Sequence, residues 1–169
     1  GWYGAFAKQD AGRLRDMVAV NCGAPVVLTS RVLPRMLARG RGAIVFTGSV
    51  AGHMALPYHA VYAATKSFDK LLSDALAVEL ADDGIDVLSL EPGPVTTDFQ
   101  ATAGDVSSRG GSAPEVVGAA FEALGRQSAT IPGWKNWVRA VIAPRLTTRP
   151  MLAHVARDVM AEQVPDDMR

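Results

Sequence analysis

Cysteine occurs once in this sequence, at Cys22, so no disulfide can form within the chain and a thiolate zinc site lacks ligands. A reducing, cytoplasmic setting is the expectation that follows. An excess of one charge is also lacking. Lys plus Arg number 17 and Asp plus Glu number 17, giving a formal net charge of +0. That excludes nucleic-acid binding through a basic field. No apolar run of membrane-helix length, no signal peptide and no internal repeat is read, so membrane association is not expected. An initiating Met is absent as well. The opening Gly1-Trp2-Tyr3-Gly4 reads as a cut through a folded chain, which points to a piece of a longer protein.

What is present is ordinary for a globular domain: 169 residues, 49% hydrophobic and 20% charged. Asp10 is placed to cap a long helical pattern with Leu14, Met17, Val18, Val20, Val26, Val27, Val32 and Leu33 as candidate buried positions. Pro25 and Pro34 predict a kink or two abutting helices, ending at Gly40 and Gly42. Ala43 to Thr47 is a β-rich apolar run and reads as a buried parallel strand. A helix follows over Ala60 to Asp82, with an apolar stripe of Phe68, Leu71, Leu72, Ala75, Leu76, Val78 and Leu80. Ile85 to Leu90 is a second strand, stopped by Pro92-Gly93-Pro94. Ala101 to Ser112 reads as a mobile loop, Ala113 to Gly125 as a helix and Ala129 to Ile131 as a short strand. The segment from Trp134 to Met160 mixes apolar residues with Lys135, Arg139, Arg145, Arg149 and Arg157. It reads as a membrane-surface or partner-binding helix or, more plainly, as a helix packed on the domain. The alternation of helix and strand predicts an α/β fold with a parallel sheet.

The chemistry centres on Tyr62-Ala63-Ala64-Thr65-Lys66. Positions four apart share a helix face, so the phenol and the ammonium converge. A neighbouring cation favours the phenolate and should lower the tyrosine pKa from near 10, which suits proton exchange with an alcohol or ketone oxygen. Alone, such a pair fits a solvated helix face better than a site. Ser49 lies just past the first strand and Pro92 to Thr97 just past the second, at the end of an open α/β sheet where ligands bind. A hydroxyl there can stabilise a carbonyl oxygen gaining charge, and Gly93 would admit a ligand close to the backbone. Each segment taken singly fits a turn. His53 and His59 flank this loop and have no carboxylate near them in sequence, so a polar loop face is expected before a metal site.

Together, Asn21 in the long helix, Ser49, Tyr62 with Lys66, and Pro92-Gly93 with Thr97 resemble the short-chain dehydrogenase/reductase family. The flanking Val20-Asn21, Leu33-Pro34-Arg35-Met36, Gly42-Ala43-Ile44-Val45 and Ser49-Val50-Ala51-Gly52 share that look, and the likeness fades beyond Gly125. The resemblance implies a Rossmann-like doubly wound parallel sheet and an NAD(P)-dependent oxidoreductase, with NAD and NADP both open. It implies that Tyr62 is the general acid/base and that Lys66 tunes it and holds the nicotinamide ribose. Ser49 would orient the substrate oxygen, and Asn21 would shape the helix kink and hold a water in a proton relay to Lys66. Pro92, Gly93, Val95 and Thr97 would contact the nicotinamide carboxamide or pyrophosphate.

The family's Gly-rich phosphate turn, Thr-Gly-x-x-x-Gly-x-Gly, does not occur in the sequence, and neither do the strands that precede it. The expectation is a single partial NAD(P)-binding domain over 1–169. It comprises a catalytic core over 1–99, a substrate loop over 100–112 and a C-terminal helix, strand and tail over 113–169. Its sheet should end in an apolar edge that the missing strands would cover. Met54, Leu56, Pro57, Phe99 and the tryptophans favour a lipophilic alcohol or ketone as substrate. The long helices imply, by resemblance, a homodimer or homotetramer of the complete protein. A truncated, non-catalytic interaction module and an epimerase or dehydratase on the same fold are the alternative readings.

Overall fold

The computed structural model describes residues 1–106 and 110–169. Asp10 accepts a hydrogen bond from the Arg13 amide (2.8 Å) and starts helix α1, Ala11–Val18. A single π turn, Ala19–Gly23, joins it to α2, Ala24–Arg39. The break therefore falls at Asn21, one turn before Pro25. Pro25 occupies the first turn of α2, where its missing N–H is not needed, and Pro34 is accommodated inside the helix. Gly40, at φ +61°, ends α2 in the left-handed conformation that glycine adopts most readily.

Strand β1, Gly42–Thr47, pairs in parallel with β2, Ile85–Leu90, in the register Gly42 to Ile85 through Thr47 to Leu90. A two-residue β3, Ala129–Thr130, extends the sheet in the order β1-β2-β3. Helix α3, Ala60–Glu79, connects β1 to β2 and packs on both. The main core lies on that face: Phe46, Leu80, Ile85 and Val87, with Leu33 and Met36 from α2 and Leu72 and Leu76 from α3. Helix α5, Ala113–Ala123, packs against β2 and β3. The layers are those of an α/β domain with a parallel sheet, as expected from sequence, and the sheet holds three strands among the described residues.

Several sequence expectations need correction. The apolar run of β1 is not buried throughout. Ile44 and Phe46 face the core, whereas Ala43, Val45 and Thr47 are exposed, Val45 at 42%, because no described strand or helix covers that side of this edge strand. Of the first helix's candidate core residues, Met17 is buried and Leu14 and Leu33 partly so. Val18, Val20, Val26, Val27 and Val32 stay exposed, because one side only of this long helix meets α3 and β1. In α3 the buried residues are Ala63, Thr65, Asp69 and Ser73; Leu72 and Leu76 pack on the strand core, while Phe68, Leu71 and Val78 are exposed. By length and composition the continuous helical run Ala11–Arg39 does reach membrane-span size, with mean hydropathy 1.3. Here it lies along the domain, joined to α3 by the Asn21–Thr65 hydrogen bond.

The segment read as a loop begins as helix α4, Asp98–Ala103, capped by Thr97. The rest of that expected loop includes Ser107, Ser108 and Arg109, which lie outside the described residues. The basic tail is helical: α6 (Trp134–Trp137), a π turn (Val138–Ile142), α7 (Ala143–Leu146) and α8 (Arg149–Ala161). A second cluster joins Tyr3, Ala103 and Val164 with Tyr58, Met160 and Met168, drawing both ends of the chain to α4.

Two left-handed glycines give a test. Gly84 (φ +73°) closes the turn into β2, and a side chain there would run into the Gly40 carbonyl oxygen; Gly104 (φ +78°) ends α4 facing open space. Gly104→Ala should cost about 1 kcal/mol, the left-handed penalty alone, and Gly84→Ala at least about twice that. Urea unfolding of both variants measures this, and equal costs would mean that the two turns can part.

Candidate active site

The common register of β1 and β2 brings the segments after both strands to one end of the sheet. Ser49 follows β1 in extended backbone. Its hydroxyl donates to the Pro92 carbonyl (3.3 Å) and accepts from the Ala51 amide (3.2 Å), while the Val50 amide also donates to Pro92 (3.1 Å). These bonds tie the two post-strand turns together. Gly52 allows the same loop to lie against α3, where a side chain would meet the Lys66 backbone at 2.7 Å.

Tyr62 sits in the first turn of α3, with its phenol close enough to Ser49 for that hydroxyl to act on its ionisation. Burial pushes the phenol pKa up, Ser49 opposes that, and Asp69 adds a smaller upward push. The downward shift anticipated from Lys66 is thus absent. The Lys66 ammonium donates to the Thr47 carbonyl (2.6 Å) and to Asp69 Oδ2 (3.0 Å), and lies 5.8 Å from the centre of the Tyr62 ring. Its charge is engaged by Asp69 rather than by the phenol oxygen. The Asp69 carboxyl is in turn pushed up by burial, with Lys66 pulling the other way, and its Oδ1 is buried without a hydrogen-bond partner among the described residues. Asn21, in the π turn, donates to Thr65 Oγ1 (3.0 Å) beside Lys66. Asn21, Thr29, Thr47, Lys66 and Asp69 form the polar part of a groove of about 440 Å³ between α2 and β1, the remainder being lined by apolar residues such as Val20, Leu28 and Val45.

The turn after β2 differs from expectation. The close approach at Gly93 is made by the chain's own Asn136, whose side chain would meet a Cβ there at 2.5 Å. Thr97 caps α4 through a reciprocal pair of bonds with Gln100, and the Gln100 amide also donates to the Val95 carbonyl. Sequence reasoning missed Glu91 altogether. It is 1% exposed, accepts from Ser89 Oγ (2.8 Å) and lies 2.6 Å from His53 Nε2, so His53 has a carboxylate after all. This contact pins the loop after Ser49 to the end of β2. No group of three metal-ligating side chains occurs among the described residues.

Reasoning from sequence also missed Tyr3. Tyr3, His59 and Tyr62 stack, with ring centres 3.9 Å and 4.3 Å apart, and Phe99 tilts against Tyr62 at 5.5 Å. Tyr3 reaches this position because its amide donates to the Ala103 carbonyl and the next amide, of Gly4, donates to Tyr58. Tyr58 itself adopts φ +64°, a costly conformation for a tyrosine, which that bond helps to hold. His59 is buried and its pKa is pushed down to about 3, mainly by burial.

The profile of the short chain dehydrogenase family matches residues 1–107. A dehydrogenase/reductase SDR family member 7B of Rattus norvegicus is 29% identical over 161 residues, covering 85% of this chain and 49% of its own. Among solved structures, a short-chain dehydrogenase from Sphingobium yanoikuyae in complex with NADPH is 30% identical with a TM-score of 0.75, covering 99% of this chain and 65% of that one. The bulky-bulky ketone specific alcohol dehydrogenase from Comamonas testosteroni is 31% identical with a TM-score of 0.70, covering 86% and 57%. The chain spans about half the length of the curated relative.

The depressed His59 pKa predicts acid sensitivity. Protonation is disfavoured in the fold, so the contribution to stability is complete above the ordinary value of 6.5 and is lost as the pH falls toward about 3. The full loss is on the order of 3–5 kcal/mol. Urea unfolding at pH 7 and pH 4 should show a smaller acid loss for His59→Phe than for the parent; equal losses would mean that His59 is not buried neutral.

Proposed function

The chain belongs to the short-chain dehydrogenase family, and on that premise we propose that it forms the catalytic half of an NAD(P)-dependent oxidoreductase acting on a lipophilic ketone or alcohol. The observation that carries the reading is the Tyr62 phenol beside Ser49, with Lys66 one helical turn on, at the shared end of two parallel strands.

The chain fits one end of the cofactor. The Lys66 ammonium, one helical turn from Tyr62 and 5.8 Å from its ring centre, suits the hydroxyl pair of a nicotinamide ribose. Lys66 and Tyr62 would hold that ribose, and the turn Pro92 to Thr97 would border the carboxamide. The tight packing of Asn136 on Gly93 puts contacts at Val95 and Thr97 ahead of one at Gly93. The 169 residues contain no Gly-rich phosphate turn. The bound dinucleotide supplies hydride chemistry.

The protein's part is proton delivery and charge stabilisation. Burial keeps the Tyr62 phenol protonated at neutral pH, which suits donation to an oxygen gaining negative charge and favours carbonyl reduction. Ser49 hydrogen-bonds the same oxygen and stabilises its charge. Asn21, bonded to Thr65 beside Lys66, stands where a proton could be passed on toward the ammonium. The buried rings of Tyr3 and His59 exclude water from behind Tyr62, and the exposed ring of Phe99 completes an aromatic wall that suits a bulky apolar substrate. The specificity of the Comamonas testosteroni relative for bulky ketones agrees with that wall.

The test is turnover by the full-length protein with NADPH or NADH and a panel of bulky ketones. Tyr62→Phe should lower kcat by about 10²- to 10⁴-fold with the fold intact. Undiminished turnover would remove Tyr62 from the mechanism.

A further inference from the structure

Two restraints are needed to fix a phenol: one on its oxygen and one on the plane of its ring. Ser49, beside the phenol, supplies the first for Tyr62. The second comes from His59. It precedes Tyr62 by three residues, at the start of the same helix, and so shares its face. The two rings lie 4.3 Å apart and 9° from parallel. On its other face His59 is backed by Tyr3, at 3.9 Å and 28°.

The imidazole's polar atoms have no evident task. Its side chain makes no capping hydrogen bond to α3, although it occupies the capping position. Its Nε2 is buried with no hydrogen-bond partner among the described residues. What His59 offers its neighbour is therefore a flat, uncharged face. That face shields one side of the phenol from water, and Phe99 tilts against the ring as well, at 46°.

We propose that His59 is a positioning residue for Tyr62: clamped against Tyr3, its ring sets the plane in which the phenol oxygen meets the substrate oxygen. The assignment rests on the reading of Tyr62 as proton donor. It makes the stacking face, and not the imidazole nitrogens, the feature that matters. The titratable groups around the phenol are Lys66 and Asp69 on its own helix and Tyr3 across the stack. His59, held neutral, adds no charge to that set near neutral pH.

Steady-state kinetics of the full-length protein with NADPH and a bulky ketone test this. His59→Ala should lower kcat by roughly 10- to 100-fold through misorientation, with KM within about threefold of the parent value. It should also move the pH-rate limb of Tyr62 to lower pH, because water reaches the phenol and solvates its anion. His59→Phe keeps a flat ring and should restore kcat to within about threefold and return the limb to its place. If His59→Ala does not fold, Tyr3→Leu removes only the backing ring and should lower kcat at unchanged KM. An unchanged kcat in His59→Ala or in Tyr3→Leu overturns the proposal, as does a His59→Phe variant as slow as His59→Ala. Tyr62→Phe separates the two layers of the argument. If it is inactive while His59→Ala runs at the parent rate, only the His59 assignment fails. If it remains active, the reading of Tyr62 fails and the His59 assignment with it.

Discussion

Everything at the site depends on two parallel strands ending together. Because Thr47 pairs with Leu90, the turns that leave β1 and β2 emerge side by side. Ser49 can then reach the Pro92 carbonyl and His53 can reach Glu91. A shift of one residue in that register would reverse which side chains face the core. It would also part Ser49 from Pro92 and leave Glu91, at 1% exposure, as a buried carboxylate without its imidazole. The buried pair thus ties the strand register and the loop after Ser49 to each other.

Burial decides the electrostatics of Tyr62. An ammonium four residues away in sequence would be expected to draw the phenol pKa down, yet the phenol is held up. Lys66 spends its hydrogen bonds on Thr47 and Asp69, and the pair they make is nearly neutral from a distance. The phenol, packed among rings, feels loss of water more strongly than the compensated cation. Spacing along a helix fixes which groups are neighbours. The third group, here Asp69, fixes what that nearness does.

The parts of this structure legible in the sequence are those governed by local rules. Asp10 and Gly40 mark helix ends because capping and left-handed turns need those residue types. Ile85 to Leu90 is a strand to the residue, and Ser49, Tyr62 and Lys66 fall on the predicted elements. What escaped is what distant segments make when they meet. The sequence carries no sign that Tyr3, from the first turn of the chain, stacks on His59, or that Asn136 fills the space at Gly93. Burial in β1 and α3 was overestimated because hydrophobic periodicity identifies a face and not what covers it. Thr97 and Gln100 held a readable clue, since their spacing is that of a capping box, and it would have placed α4 inside the expected loop.

The second cluster sets an order of assembly. β1, α3 and β2 are consecutive in the chain, so the Tyr62–Ser49 pair can form from segments close in sequence. The wall behind Tyr62 waits on much longer closures: Tyr3 to Ala103, Ala5 to Met168, and the Lys8 ammonium to the Asp167 carbonyl. Contacts so far apart along the chain form late, because the entropy of closing the intervening loop opposes them. The Tyr62 phenol is therefore placed early and exposed, and it acquires its dry aromatic surroundings only at a later stage of folding, when segments distant in sequence close over it.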